Sequence, residues 1–387
     1  MNAPSDPEMA AEPERRPSER VFFSRLTLRR FRSHDSFDFE ADARPVAIFG
    51  PNGAGKTNIL ESISVLAPGR GLRGAKAEEM AGRPDPIGWS VKARLESGGG
   101  GLEIAAQCDL RPGGEQGKRR LSVGGEPASQ TALAQRLRAL WLTPAMDRLW
   151  IEGASERRKF LDRLTLAFEP GHGAQVAEYE RAMRERNRLL KDMQKGASVA
   201  GAWLDALEQR MGEAGAALTA ARLRAIDTLG ASQDEGDAAF PKADLDLVPA
   251  EGDLVFDAAG PLIEAMRRSR RADAAAGRSL VGPHRDDLGA RYAAKGVEAR
   301  LASTGEQKAL LISIVLAAAR ALASSGGTPP ILLLDEIAAH LDDGRRAALY
   351  DELTTLKLQA WLTGTGPELF SALGERAQSL ELKAPEL

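Results

Sequence analysis

One cysteine, Cys108, in 387 residues excludes disulfides, a cysteine-based zinc site and an iron–sulfur cluster. Positive charge is not in surplus either. The 52 Lys+Arg stand against 55 Asp+Glu, a formal net charge of −3, so contact with nucleic acid has to come from local basic patches. Long apolar runs are missing: the longest, 310–323, contains Ser313 and Arg320 and is too short to span a membrane. The first 20 residues are rich in Pro, Glu, Ala and Arg and lack the apolar stretch of a secretion signal. They predict a disordered tail, and the whole predicts a soluble cytoplasmic protein of about two structural units. There is no internal repeat and no sustained heptad pattern.

What is present is organised around residues 45–66, Pro-Val-Ala-Ile-Phe-Gly-Pro-Asn-Gly-Ala-Gly-Lys-Thr-Asn-Ile-Leu-Glu-Ser-Ile-Ser-Val-Leu. A short apolar run breaks at Gly50 and gives way after Thr57 to apolar residues at helical spacing, Ile59, Leu60, Ile63 and Leu66. Strand, glycine-rich turn and helix frame Gly50-Pro51-Asn52-Gly53-Ala54-Gly55-Lys56-Thr57, the phosphate-binding loop. Its glycines let backbone N–H groups converge on a phosphate, and the helix that follows aims its positive end at the same point. Lys56 is expected to reach the β- and γ-phosphates of ATP, and the Thr57 hydroxyl to ligate Mg²⁺.

Residues 21–49 alternate apolar and polar side chains and read as two strands leading into the loop. Strands at 90–95, 102–110 and 119–123, between Gly-rich turns, predict an antiparallel lobe. Helix is expected over 128–140, strand at 140–142, and a further helix from 155 with Ser155 as N-cap. From 174 to 230 the pattern is of long helices broken near Gly196 and Gly201. On the first of these, Arg181, Arg184, Arg188 and Lys191 share one face, with Tyr179, Met183, Leu190 and Met193 opposite. That stripe is a candidate for tracking a DNA backbone or is simply a solvated face, and the Arg267, Arg268, Arg270, Arg271 cluster carries the same ambiguity. Residues 231–276 are otherwise mixed and polar. Strands at 288–292 and 297–301, a buried helix over 306–322 and a buried parallel strand at 331–334 close the chain.

Four aliphatics end in two carboxylates at Asp335-Glu336, which puts both at the carboxyl edge of a sheet, where ligands sit in open α/β folds. Asp335 would hold the Mg²⁺ and Glu336 would orient and deprotonate the attacking water. Ala302-Ser303-Thr304-Gly305-Glu306-Gln307-Lys308, just before the apolar helix, resembles the signature of ABC-type ATPases. Ser303, the Gly305 backbone and the helix N-terminus make a second anion site. Ala339-His340-Leu341-Asp342 resembles that family's D-loop. The resemblance implies that the signature of one subunit closes over the phosphates held by the other, an ATP-sandwiched dimer. Its switch histidine is replaced by Thr363-Gly364-Thr365, with Thr365 the expected sensor.

Thr57 and Ser303 stand 246 positions apart, far more than in transporter subunits. The chain resembles the RecF family over most of 24–370. The motifs that carry this are Leu-Thr-Leu-Arg-Arg-Phe-Arg-Ser, the phosphate loop, Glu-Arg-Arg-Lys-Phe-Leu-Asp at 156–162, Arg-Asn-Arg-Leu-Leu-Lys at 186–191 and Val-Gly-Pro-His-Arg-Asp-Asp-Leu at 281–288. Ala145 and Met146 replace the family's usual acidic residues, so no Q-loop residue is assigned. The resemblance implies a slow, DNA-stimulated ATPase that dimerises with ATP on duplex DNA at single-strand/double-strand junctions. With RecR and RecO it would help load RecA on gaps coated by single-strand-binding protein, in replication, repair and the SOS response. It also implies nucleotide contacts from Arg32 and Ser33, and a role for His284 and Arg285 either in fixing the arm or in sensing nucleotide. The basic stripe has a rival use in holding the arm against a partner subunit.

The expected fold class is α/β: a discontinuous ABC-type ATPase head (21–165 and 277–387) with an antiparallel β lobe and an inserted, mainly helical arm (166–276). An ATP-switched DNA clamp is favoured over a nuclease of the same superfamily, for which no carboxylate-rich metal domain is expected after Leu387. Intact Lys56, Asp335 and Glu336 disfavour a merely structural ATP-binding dimer.

Overall fold

The computed structural model describes residues 20–82, 87–110, 117–236, 239–250 and 254–383. The tail expected over 1–20 lies outside the described residues except for Arg20, as does most of the turn expected at 113–117.

The chain opens with β1 (Phe22–Phe31), β2 (His34–Glu40) and β3 (Val46–Phe49), then the phosphate loop and α1 (Lys56–Ser64). The lobe strands follow as β4 (Gly88–Ser97), β5 (Gly100–Asp109), β6 (Arg120–Val123) and the short β7 (Glu126–Pro127). The helix expected over 128–140 is only α2 (Gln130–Ala134), because the chain straightens again into β8 (Ala139–Leu142). Next come α3 (Ala154–Phe168), α4 (His172–Gln194), α5 (Gly201–Asp234), β9 (Ala243–Val248) and α6 (Ala259–Ala276). The return to the head is β10 (Asp287–Tyr292), β11 (Val297–Glu298), α7 (Thr304–Ser324), β12 (Ile331–Leu334), α8 (Asp343–Thr355), β13 (Ala360–Gly364) and β14 (Gln378–Glu381). Residues 299–301, expected as strand, are a 3₁₀ turn.

Two sheets make the head. The antiparallel one runs β2-β1-β4-β5-β6-β7 and the parallel one β14-β3-β13-β12-β8. Central parallel strands are covered on both faces, which is why they read as continuous aliphatic runs. In β12 the alternation sorts its residues cleanly: Ile331 and Leu333 join Val46, Ile48 and Trp361 under α1 and the antiparallel sheet. Leu332 and Leu334 face the other way, into a cluster with α3, α7 and α8. Gln359, fully buried, ties the sheets together by bonding both the N–H and the carbonyl of Phe23.

At 21 residues, α7 exceeds the run anticipated from sequence and is long and apolar enough to cross a membrane by composition. In this fold 78% of its apolar window is buried inside the protein, where it forms the spine of the head's larger core.

The arm has its own core, drawn from α4, the first half of α5 and α6: Tyr179, Leu189, Leu204, Met211, Leu262 and Met266 among others. The second half of α5 and β9 lie within the range expected for the arm, yet Ile226, Leu229, Phe240, Ala243 and Leu247 sit in the head core. β9 pairs with β10 in a three-stranded sheet of order β11-β10-β9, which stitches the insert back to the head. Inside the arm, Arg186 is fully buried with Glu208 and Asp273, at 2.9 and 2.7 Å. Removing one member of such a group would leave an uncompensated buried charge.

The segments 156–162 and 281–288 meet at the root of the arm. Arg157 makes a bidentate pair with Asp287, Arg158 donates to the Asp286 carbonyl, and Arg222 bridges Asp162 and the Pro283 carbonyl. His284 donates through Nε2 to the Ser279 carbonyl (3.2 Å), so its Nδ1 accepts from the Tyr179 hydroxyl (2.8 Å). Burial pulls the His284 pKa down to about 4. Burial likewise pushes Asp286 up to about 6, against the pull of Arg222 and Arg158. These bonds favour the arm-fixing role of His284 over nucleotide sensing.

Candidate active site

The phosphate loop takes its shape from conformations that only glycine adopts without strain. Gly50 and Gly55 have φ of +149° and +89°. A Cβ on Gly50 would lie 2.2 Å from the Leu382 carbonyl oxygen, and one on Gly55 would lie 2.6 Å from His34 Nε2 and 2.7 Å from Ser33 Oγ. Pro51, Asn52 and Gly53 are exposed at the loop's crest, whereas Ala54 and Lys56 are buried. No side chain caps the start of α1. The Asn58 N–H turns back to the Gly55 carbonyl (3.0 Å), and the N–H groups of Lys56 and Thr57, which have no partner among the described residues, are left for an anion, the arrangement that suits a phosphate. Lys56 Nζ bends back to the carbonyls of Gly50 (2.7 Å) and Pro51 (3.0 Å).

The sheet order brings the second half of the site alongside. The Thr57 hydroxyl donates to both carboxylate oxygens of Asp335, at 2.9 and 3.1 Å, across 278 positions of sequence. Thr363, at the end of β13 between the loop strand and β12, donates from its hydroxyl to Asp335 Oδ1 (2.8 Å) and accepts the N–H of Glu336 (2.9 Å). Burial raises the Asp335 pKa, and the hydrogen bonds from Thr363 and Thr57 oppose that rise. Glu336 adopts φ +54°. A left-handed conformation costs a non-glycine residue roughly 1–2 kcal/mol, and such residues concentrate at functional sites. The oxygen donors of Thr57 and Asp335 suit Mg²⁺, which takes one or two protein ligands alongside substrate phosphates. Among the described residues there is no cluster of three or more His, Cys, Asp or Glu that would form an all-protein metal cage.

Arg32 and Ser33 flank the loop in different ways. Ser33 Oγ accepts from Asn58 Nδ2 (2.8 Å), and neighbouring His34 donates to the Gly55 carbonyl (3.1 Å). The Arg32 guanidinium is engaged with the buried Glu61 through two bonds (2.6 and 2.9 Å) and with the Glu79 carbonyl. Arg73 joins the same carboxylate at 2.7 Å. Sequence reasoning missed His34, Asn58, Glu61, Arg73 and Thr363. His34, Asn58, Glu61 and Thr363 lay in or beside stretches already singled out but were given no role there, and in the Thr363-Gly364-Thr365 stretch Thr365 was chosen. Thr365 is exposed just beyond β13, whereas Thr363 is fully buried against the two carboxylates.

The signature residues lie elsewhere on the surface. Ser303 N-caps α7 in a reciprocal capping box with Glu306, and Ser303, Thr304 and Gly305 are all exposed. Glu306 is held down to about 2, chiefly by the Lys295 ammonium. Asp342 is the N-cap of α8, accepting from the Arg345 N–H at 2.8 Å. In the loop after β8, Asp147, one position past the pair where an acidic residue was sought, accepts a 2.9 Å bond from Lys308 of α7.

On the arm, Arg181, Arg184, Arg188 and Lys191 are exposed on one face as expected. Arg181 is paired with Glu178 and Arg184 with Glu180 at 3.4 Å, while Arg188 and Lys191 have no ion-pair partner among the described residues. In the second cluster, Arg267 and Arg270 are paired with Asp205.

The model of the RecF/RecN/SMC N terminal domain matches residues 22–372. The chain is 47% identical over 368 residues to the DNA replication and repair protein RecF of Caulobacter vibrioides, covering 91% of this chain and 94% of that protein. It is 45% identical over 382 residues to the RecF of Brucella suis, covering 97% of each. Among solved structures it superposes on the recombination mediator protein RecF-ATP in the RecFOR pathway with a TM-score of 0.79 at 23% identity, covering 90% and 93% of the two chains. An SmcHead bound to the C-winged helix domain of ScpA follows at 0.52 and 15%, covering 91% of each chain. With the phosphate loop, the paired carboxylates and the sheet order already in place, these likenesses settle the family: the chain belongs to the RecF family of DNA replication and repair proteins, within the RecF/RecN/SMC group of ABC-type ATPases.

Proposed function

We propose that this chain is an ATP-driven switch of recombinational repair in the cytoplasm: a slow, DNA-stimulated ATPase that closes into a homodimer on duplex DNA beside single-strand gaps. The observation that carries this reading is the hydrogen-bonded run Thr57–Asp335–Thr363–Glu336, which joins the phosphate loop to a hydrolytic carboxylate. In the proposed reaction Lys56 exchanges its two carbonyl partners for phosphate oxygens. Glu336 orients a water and takes its proton as the water oxygen bonds to the γ-phosphorus. The bond from that phosphorus to the β–γ bridging oxygen breaks, releasing ADP and phosphate. Mg²⁺, held by Thr57 and Asp335, would neutralise charge on the phosphates.

The exposed Ser303-Thr304-Gly305 end of α7 supports the dimer. It is an exposed helix N-terminus, the positive end of its dipole, with no phosphate-binding loop around it, and a second copy would supply one. Arg188 and Lys191, the stripe's exposed cations with no ion pair among the described residues, are the first residues to test for contact with DNA phosphates. RecR, RecO and RecA are the partners proposed on family grounds. The test is ATP hydrolysis by purified protein, alone and with gapped duplex DNA. Turnover that rises with DNA and vanishes in Glu336→Gln supports the switch; turnover indifferent to both contradicts it.

A further inference from the structure

We propose that Thr363 is a positioning residue for hydrolysis: its hydroxyl fixes the backbone of Glu336, and so controls turnover without controlling nucleotide binding. This rests on the reading of Glu336 as the water-activating group.

Thr363 is fully buried at the end of β13, where β13 lies between β3 and β12. Its register neighbour on one side is Ile48, just ahead of the phosphate loop, and on the other side β12 runs directly into Asp335. The single Oγ is used in both senses, donating to Asp335 Oδ1 (2.8 Å) and accepting from the Glu336 N–H (2.9 Å). A hydroxyl does this; the methyl of an isosteric valine does neither.

The two carboxylates depend on that oxygen unequally. Asp335 is held independently, by the Thr57 hydroxyl on both of its oxygens and by its own N–H to the Leu142 carbonyl (2.9 Å). The Glu336 N–H has the Thr363 hydroxyl as its acceptor, and the Glu336 carboxylate accepts no hydrogen bond among the described residues. Glu336 also holds φ +54°, a conformation that persists only when the surroundings enforce it. Without the hydroxyl its N–H would be left without a partner, and the peptide would relax toward ordinary φ. The carboxylate, carried on that peptide, would then shift relative to Asp335. The expected split is a metal ligand still in place and a base out of place.

The experiment compares wild type with Thr363→Val, Thr363→Ser and Glu336→Gln, and adds the double variant Thr363→Val/Glu336→Gln. Affinity for a fluorescent ATP analogue, single-turnover hydrolysis of ATP and the lifetime of the ATP-bound state are measured for each. Thr363→Val should lose at least about tenfold in hydrolysis while ATP affinity stays within about threefold, and its ATP-bound state should outlive that of wild type. Thr363→Ser should recover hydrolysis to within about threefold, and the double variant should be no slower than Glu336→Gln alone. Thr363→Ala serves the same comparison should the valine variant fail to fold. Wild-type hydrolysis by Thr363→Val, equal losses in the valine and serine variants, or a loss of binding as large as the loss of turnover would each overturn the proposal, with Glu336→Gln still inactive. Normal hydrolysis by Glu336→Gln would overturn the reading of Glu336 itself, and this proposal with it.

Discussion

Two helices of the head present their N-termini in opposite ways. At α1 the backbone is wrapped by a glycine loop and left uncapped, with Thr57, Asp335 and Thr363 bonded around it. At α7 the chain supplies its own cap, the Ser303–Glu306 box, and leaves the end exposed. One end is assembled by the fold, from strands far apart in sequence. The other is finished locally and faces outward. A composite ATPase needs both kinds: a site that grips phosphate within one chain, and a surface rigid enough to meet phosphate held by another chain.

The largest effect should come from the enclosed end. Lys56→Met removes the one cation of the loop, and ATP affinity should fall by about 10- to 100-fold, measured by nucleotide titration. Next, Glu336→Gln should lower turnover by about 100-fold or more while leaving ATP affinity intact, and should prolong the ATP-bound dimer. A dimer no longer-lived than that of wild type would contradict the role assigned to this carboxylate. The exposed end should respond differently. Ser303→Arg should abolish ATP-dependent association but leave ATP binding by the monomer unchanged, at a stability cost of about 1 kcal/mol for the lost cap, read as a lower Tm. Equal loss of binding and association in that variant would erase the distinction between the two ends.

A smaller effect marks a region outside both. Asp286 at the arm root has its pKa pushed up to about 6 by burial, above its ordinary value of 3.8. The folded protein therefore holds that proton more tightly than the unfolded chain, and stability falls as pH rises from about 4 to about 6. Asp286→Asn should raise Tm at pH 8 and gain progressively less toward pH 4, with ATP binding and association unchanged at either pH.

Much of the enclosed end was legible because it is encoded locally. The spacing of Gly50, Gly55, Lys56 and Thr57 and the aliphatic run into Asp335-Glu336 each carry their chemistry within a few residues. The broken pattern at Gly196 and Gly201 separated α4 from α5 for the same reason. What was not legible depends on who stands beside whom. Thr363 matters because β13 lies between β3 and β12, and sheet order leaves no mark on a Thr-Gly-Thr stretch. Arg32, expected at the nucleotide, is held by Glu61, a residue whose burial could not be read from its place in a helix. The strand Ala243–Val248 and helix Ala259–Ala276 were missed in a polar stretch, since the apolar partners of Ala243 and Leu247 belong to the distant head core.

The central claim, an enclosed phosphate grip matched by an exposed surface awaiting a second copy, is tested most directly by molar mass. Light scattering would be recorded with ADP, with ATP, and with ATP plus gapped duplex DNA. A monomer with ADP that becomes a dimer with ATP, tightened further by DNA, is the predicted result. A mass that does not change with nucleotide would contradict it, since the exposed end of α7 would then close over no partner's phosphates.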